Sequence, residues 1–99
     1  MKLSILIPAY NEELSIQKVL MEIKAVNLSS CGISEKEIIL IDDGSTDKTV
    51  EKVHSSMPNV KVIHHIKNKG KGASLASGIP QATGDIILIQ DADLEYDPA

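Results

Sequence analysis

The chain has 99 residues, of which 42% are hydrophobic, and a formal net charge of −4 at pH 7. This is enough for the core of one small domain and too little for two domains. All ten basic residues are Lys, and Phe and Trp are absent. Because single-strand binding uses aromatic stacking and base recognition uses guanidinium groups, the composition and the acidic charge argue against a nucleic-acid partner.

The sequence also argues against a membrane-spanning protein and against a protein stabilised by disulfide bonds. The single Cys31 cannot form an intramolecular disulfide, and we expect a reduced thiol of no functional consequence. The N-terminal apolar run, residues 3–7, is too short for the hydrophobic region of a signal peptide. No run approaches the roughly 20 apolar residues of a membrane span. The sequence predicts a soluble, cytoplasmic chain.

Four short runs rich in Ile, Leu and Val predict four strands, at residues 3–7, 38–41, 60–63 and 86–89. Their almost continuous apolar character is typical of a sheet covered on both faces.

Segments with helical spacing of apolar residues separate these strands. The first two helices are expected to begin at the N-caps Asn11 and Ser45. Their buried faces are predicted to contain Ile16, Leu20, Ile23 and Val26 in the first, and Thr46, Val50, Val53 and Met57 in the second.

The third helix is predicted over residues 72–82, with Ala73, Ala76 and Ile79 on its inner face. Pro80 removes a helix hydrogen bond and disfavours helical angles at the residue before it, so a kink or an early stop is expected there.

The alternation of strands and helices predicts an α/β fold with a parallel sheet and right-handed crossovers. We expect the strand order 3-2-1-4, which leaves the fourth strand at an edge. The run contains no Pro, no Lys and no bulge signal, which are the features that prevent an edge strand from pairing with another chain. Self-association through the fourth strand, most simply as a symmetric dimer, is therefore predicted.

Polar residues follow three of the four strands, at residues 8–12, 42–45 and 90–93. Ligands of open α/β sheets bind beyond the carboxyl ends of the strands, near the point where strand order reverses. These three segments therefore predict a ligand site at that edge.

Two phosphate-binding motifs are excluded. The loop after the first strand lacks the G-x-G-x-x-G pattern, which disfavours a dinucleotide-binding domain. Residues 69–73 are not a P-loop, because His65 stands where the first Gly belongs and no Ser or Thr follows a Gly-Lys pair. Tyr10 could pack its ring on a base, or it could simply cover the end of the sheet.

Two pairs of acids have both a functional and a structural interpretation. Asp42 and Asp43 could accept hydrogen bonds from a ribose or a base, or one of them could cap the next helix. Asp91 and Asp93 form a D-x-D pair that could hold one divalent cation together with a diphosphate, or could end the strand in solvent. The position of the second pair opposite the first favours the metal interpretation.

Five motifs, in this order along the chain, resemble those of the family 2 glycosyltransferases. The closest likeness is to the branch of dolichol-phosphate mannose synthases and related polyprenol-phosphate glycosyltransferases. The motifs lie at residues 5–13, 37–47, 68–73, 82–85 and 91–93.

This resemblance implies a Rossmann-like GT-A fold, a nucleoside-diphosphate sugar donor of the GDP-mannose or UDP-glucose type, and a Mg²⁺ or Mn²⁺ cofactor. It assigns the metal to Asp91 and Asp93. The residues that it implies at the nucleotide, with Asp42 added as a lesser candidate beside them, are Pro8, Tyr10, Glu12, Ile41, Asp42, Asp43 and Ala92.

The resemblance further implies that residues 1–99 are the N-terminal, nucleotide-sugar-binding part of a GT-A domain whose acceptor half is absent. The full enzyme would be inverting and would use a polyprenyl phosphate as its candidate acceptor, at the cytoplasmic face of a membrane. No catalytic base is assigned within the chain, so the fragment alone is expected to be inactive. The alternative is a non-catalytic module that binds nucleotide and metal.

Overall fold

The computed structural model describes residues 1–26 and 31–92. Four strands alternate with three helices, and a short 3-10 turn, Ile79–Gln81, follows the third helix. The elements in chain order are β1 (Lys2–Ala9), α1 (Ile16–Ala25), β2 (Glu35–Asp42), α2 (Thr49–Ser56), β3 (Lys61–His64), α3 (Lys71–Gly78) and β4 (Ile86–Ile89).

The four strands form one parallel sheet in the order β3-β2-β1-β4, as predicted. The central strand β1 pairs with β2 along its whole length, from Lys2 opposite Glu35 to Ala9 opposite Asp42. On its other side β1 pairs with β4, which leaves β4 at an edge.

Aliphatic side chains on both faces of β1 and β2 form the core. On one face the strands pack against Ile16 and Leu20 of α1 and Val53 of α2. On the other face a smaller cluster consists of Leu6, Ile39 and Ile41. Full burial of each such side chain contributes about 1.5–3 kcal/mol to stability, so these side chains are a main source of the hydrophobic stabilisation of the fold.

Both predicted N-caps are wrong, because α1 begins at Ile16 and α2 at Thr49. The predicted buried faces are confirmed at Ile16, Leu20 and Val53, whereas Val26 is exposed. The caps failed because Asn11 and Ser45 form hydrogen bonds between loops instead.

The predicted early stop at Pro80 is confirmed, since α3 ends at Gly78 and the 3-10 turn contains the proline. Its predicted inner face is wrong. Ser74 and Gly78 are the buried residues of α3, while Ile79 is 47% exposed. Small residues bring this helix closer to the sheet than larger side chains would.

None of the helices among the described residues combines the length and the apolar composition that a membrane crossing requires.

Candidate functional site

A cleft of about 200 Å³ opens at the carboxyl edge of the sheet. It lies where strand order reverses, because one wall follows β1 and the other follows β4. The loop after β3 and the start of α3 complete it. Its lining residues are Pro8, Ala9, Tyr10, Glu12, Asp43, Asn68, Gly70, Lys71, Ser74, Asp91 and Ala92.

The loops after β1 and β2 are joined by side-chain hydrogen bonds. The Asn11 backbone N–H donates to Ser45 Oγ over 2.9 Å, and Asn11 Oδ1 accepts the Thr46 backbone N–H at 2.8 Å. The Glu12 N–H donates to Thr49 Oγ1 over 2.9 Å. Asn11 adopts a φ of 53°, which Asn tolerates better than most residues. These contacts fix Tyr10 and Glu12 at the mouth of the cleft.

Asp43 is the buried acid of the cleft wall, with 4% of its surface exposed. Its Oδ1 accepts hydrogen bonds from His65 Nδ1 at 2.8 Å and the Lys69 N–H at 2.9 Å. Its Oδ2 accepts from the Gly70 N–H at 2.7 Å and Asn68 Nδ2 at 3.1 Å. Burial alone would raise the pKa of the Asp43 carboxyl, but the hydrogen bonds from His65, Lys69 and Gly70 outweigh it and hold this pKa below its ordinary value. The group is therefore ionised at neutral pH.

Gly44 lets the loop after β2 approach the loop after β3. Its φ is +78°, and a Cβ at this position would lie 2.6 Å from the Asn68 backbone nitrogen and 2.7 Å from the Lys67 carbonyl carbon. The two backbones are in direct contact, which places the donors of residues 68–70 against Asp43.

Asp91 lies at the opposite wall and pairs with Lys71, the first residue of α3. The Lys71 Nζ and Asp91 Oδ1 atoms are 2.6 Å apart, and the Asp91 side chain is 39% exposed. One carboxylate that faces a cleft fits a hard divalent cation, which takes one or two carboxylates and completes its shell with water and phosphate oxygens. Within residues 1–26 and 31–92, no three His, Cys, Asp or Glu side chains are grouped closely enough to hold a metal alone.

A family model described as glycosyl transferase family 2 matches residues 4–99. The chain belongs to glycosyl transferase family 2. The expectation drawn from the five motifs is thereby confirmed, and the GT-A, Rossmann-like architecture with strand order 3-2-1-4 is the one expected.

A curated relative from Pyrococcus furiosus, named dolichol-phosphate mannosyltransferase, is 37% identical over 100 residues. The match covers 99% of this family 2 chain and 27% of the relative.

Two solved structures share the fold. The mannosyltransferase PcManGT from Pyrobaculum calidifontis, in complex with GDP-Man and Mn²⁺, superposes with a TM-score of 0.76 at 26% identity, over 92% of this chain and 27% of that one. S. aureus TarS 1-349, in complex with UDP-GlcNAc, gives a TM-score of 0.75 at 31% identity, over 94% and 27%. The family 2 chain thus spans less than a third of each of these three proteins.

Most of the site residues predicted for this family 2 chain meet in the cleft. Tyr10 is 45% exposed there, so it is available to a ligand. Ala92 is buried, and its carbonyl oxygen accepts a 2.7 Å hydrogen bond from Ser15 Oγ, which joins the segment after β4 to the residue before α1. The predicted residues that line the cleft are Pro8, Tyr10, Glu12, Asp43, Asp91 and Ala92.

Two of the residues predicted to bind the nucleotide lie outside the cleft, and one of the two predicted metal ligands lies outside the described residues. The side chain of Ile41 is fully buried in the smaller core cluster. Asp42 is fully buried, 2.6 Å from His64 Nδ1, and accepts the Ser45 N–H at 3.2 Å. Neither lines the cleft. Asp93 lies outside the described residues, so its role remains a prediction.

The loop after β3 and the start of α3 also line the cleft, and the sequence assigned them no role. Asn68, Gly70, Lys71 and Ser74 are all part of it. The motif at residues 68–73 was the available signal, but it resembles no phosphate loop. Only the contact of this loop with Asp43 shows that it belongs to the site.

Proposed function

We propose that residues 1–99 form the donor-nucleotide half of an inverting, metal-dependent glycosyltransferase. The donor is a nucleoside-diphosphate sugar of the GDP-mannose or UDP-glucose type, and the acceptor of the whole protein is a polyprenyl phosphate. The observation that carries this proposal is the cleft itself, in which Tyr10, Asp43 and Asp91 meet where strand order reverses.

In this proposal the nucleoside occupies the inner part of the cleft. Asp43 is ionised and faces the cleft, so it accepts a hydrogen bond from a base or a ribose. The half-exposed ring of Tyr10 lies at the same opening and offers a surface for a base. Glu12 is held beside them through its backbone hydrogen bond to Thr49.

The diphosphate would then lie toward Asp91 and Lys71. Asp91 supplies a metal ligand, and Asp93 supplies the second carboxylate of the D-x-D pair. A bound Mg²⁺ or Mn²⁺ would neutralise the diphosphate and stabilise it as a leaving group. In the same proposal the Lys71 ammonium leaves Asp91 and binds a phosphate oxygen. The neighbour in complex with GDP-Man and Mn²⁺ supports the use of a divalent metal together with a nucleotide-sugar donor.

A polyprenyl phosphate acceptor is supported by the relative named for dolichol phosphate. Its attacking atom would be a phosphate oxygen, which is already anionic at neutral pH, because the second pKa of a phosphate ester is about 6. Such an acceptor needs no strong base, and a protein that uses a hydroxyl acceptor would need one from outside these 99 residues. In this proposal the acceptor lies in a membrane, and the whole protein acts at its cytoplasmic face.

Metal-dependent nucleotide binding tests the proposal. Calorimetric titration of the 99-residue chain with GDP and with UDP should give at least tenfold tighter binding in Mn²⁺ than in EDTA for one of them. The Asp91→Asn/Asp93→Asn double variant should lose the metal effect and keep the metal-free affinity. Glu95→Gln, a nearby acid outside the D-x-D pair, serves as the control and should behave like the wild type.

Equal nucleotide affinity with and without Mn²⁺ would contradict the metal assignment. The same binding is expected of a non-catalytic nucleotide and metal module, so transfer by the full-length protein is the second measurement. Transfer of sugar to a polyprenyl phosphate that is lost in Asp91→Asn would support the enzyme and exclude the module.

A further inference from the structure

The Asp43 carboxylate is saturated with hydrogen bonds from the protein. An ionised carboxylate offers about four lone-pair positions. Among the described residues four donors use them, which are His65 Nδ1, Asn68 Nδ2 and the backbone N–H groups of Lys69 and Gly70. A ligand donor that reaches Asp43 must therefore replace one of these four.

Three of the four donors are held in place by other contacts. The N–H groups of Lys69 and Gly70 belong to the backbone just before α3, and the Gly70 carbonyl accepts both the N–H and the Oγ of Ser74 at 3.1 Å. His65 is buried, and its Nε2 lies 2.8 Å from Ser77 Oγ. Moving any of these donors would break further hydrogen bonds.

Asn68 differs from the other three donors. It is exposed, it lines the cleft, and its 3.1 Å bond to Asp43 is the longest of the four. The amide also donates to the Asp43 carbonyl over 3.3 Å, a long and weak contact. The Asn68 backbone is packed against Gly44, so the side chain can rotate away while the loop stays in place.

We propose that the Asn68 amide holds the position on Asp43 that an N–H group of the nucleotide base takes when it binds. Binding of the base rotates Asn68 out of the cleft and leaves His65, Lys69 and Gly70 in place. Asn68 is thus a specificity-determining residue. Only a ligand with a hydrogen-bond donor can replace the bond that Asp43 loses when the Asn68 amide moves away. This inference rests on the proposed nucleotide function.

Replacing Asn68 by a residue without a donor should tighten binding, because the base no longer competes with the amide. Asn68→Leu keeps the approximate size of the side chain and Asn68→Ala reduces it. Both are expected to bind uridine or guanosine about threefold to tenfold more tightly than the wild type, which corresponds to the net value of one hydrogen bond. Thermal unfolding would verify that each variant is folded.

His65→Leu is the matched control, because it also removes one donor from Asp43 but concerns a residue that does not line the cleft. It should bring no gain in affinity. Asp43→Asn should weaken binding of the same nucleoside at least fivefold. A second control uses the N-methylated probes 3-methyluridine and 1-methylguanosine, which lack the ring N–H. The gain of the Asn68 variants should disappear with the methylated form of whichever nucleoside binds.

Nuclear magnetic resonance on the wild type gives an independent measurement. Addition of the nucleoside should shift the Asn68 side-chain NH₂ signals and leave the Lys69 and Gly70 amide protons protected from exchange. Nucleoside binding by the wild type together with equal or weaker binding by both Asn68 variants would overturn this inference alone. No nucleoside or nucleotide binding by any variant would overturn the proposed function, and the inference with it.

Discussion

At the scale of single residues, Asp42 and Asp43 show how adjacent identical side chains acquire different roles. Each lies within hydrogen-bonding distance of a histidine, Asp42 of His64 and Asp43 of His65. Successive side chains at the end of a strand point to opposite faces of a sheet. Asp43 therefore lines the cleft, while Asp42 is enclosed beneath the loop and accepts the Ser45 N–H.

Glu37 shows the same dependence on surroundings at the other end of β2. Its carboxylate accepts hydrogen bonds from Ser4 Oγ and from the N–H and Oγ1 of Thr83, and Lys2 lies 3.9 Å away. Burial raises the pKa of Glu37, but the hydrogen bonds and the Lys2 charge lower it by more. The net result is a pKa that falls from 4.5 to about 2.

This shift predicts a pH-dependent stability. Because the folded-state pKa lies below the unfolded value, the contribution of Glu37 is complete above about pH 5 and is lost as the pH falls from 4.5 toward 2. Glu37→Gln should be less stable at pH 6 by up to about 3 kcal/mol, and the difference should shrink toward pH 2. Urea unfolding of both proteins from pH 6 to pH 2 would measure it, and parallel curves would contradict it.

At the scale of elements, close approaches between backbones and side chains decide where loops and helices lie. Gly78 lets α3 approach the sheet, since a Cβ there would lie 2.8 Å from Ile41 Cδ1 and 2.9 Å from Leu6 Cδ2. Gly44 does the same for the loops after β2 and β3. The cleft depends on both contacts, because α3 and the loop before it form one of its walls.

A matched pair of glycine substitutions tests the loop contact. Gly44→Ala meets backbone atoms at under 3 Å and also adopts a positive φ, whereas Gly32→Ala adopts a similar φ of +82° with no atom within 4 Å. We expect Gly32→Ala to cost about 1–2 kcal/mol of unfolding free energy, from the left-handed conformation alone. Gly44→Ala should cost at least about 2 kcal/mol more, because backbone atoms must move. Chemical denaturation would compare the two, and equal losses would show that the loops separate freely.

At the scale of the whole molecule, the carboxyl edge of the sheet carries the cleft and the β4 edge carries an apolar surface. Ile86, Ile87, Leu88 and Ile89 are each between 41% and 47% exposed. Both faces of β4 are thus half covered by the described residues. The expected position of β4 at an edge is confirmed, and self-association through it remains a prediction.

Sedimentation equilibrium at rising protein concentration would test that prediction. The wild type should form dimers, because among the described residues β4 pairs with a strand on one side only and its apolar side chains are half exposed. Leu88→Lys should shift the protein to monomers by placing a charge in the contact. Met21→Lys, at an exposed apolar residue of α1, should not change the association. A wild type that stays monomeric at high concentration would show that this edge does not mediate a contact between copies.

The sequence by itself determined the four strands, their parallel order and the family. Strand runs and the alternation of strands and helices are patterns of local hydrophobicity, and the handedness of crossovers leaves few topologies for such a chain. The early end of α3 was predictable for the same reason, because Pro80 acts on its own backbone. The convergence of polar residues at one edge followed from the topology alone.

Only the tertiary structure determined the hydrogen-bond partner of each polar group. Asn11 and Ser45 have side chains typical of N-caps, yet both form hydrogen bonds with the neighbouring loop. Ser45 Oγ accepts the Asn11 N–H, and Asn11 Oδ1 accepts the Thr46 N–H. Asn68 entered the site because Gly44 allowed its backbone to approach Asp43. A hydrogen bond needs two atoms within about 3 Å, and for residues 25 or more apart in sequence that distance is set by packing rather than by local preference.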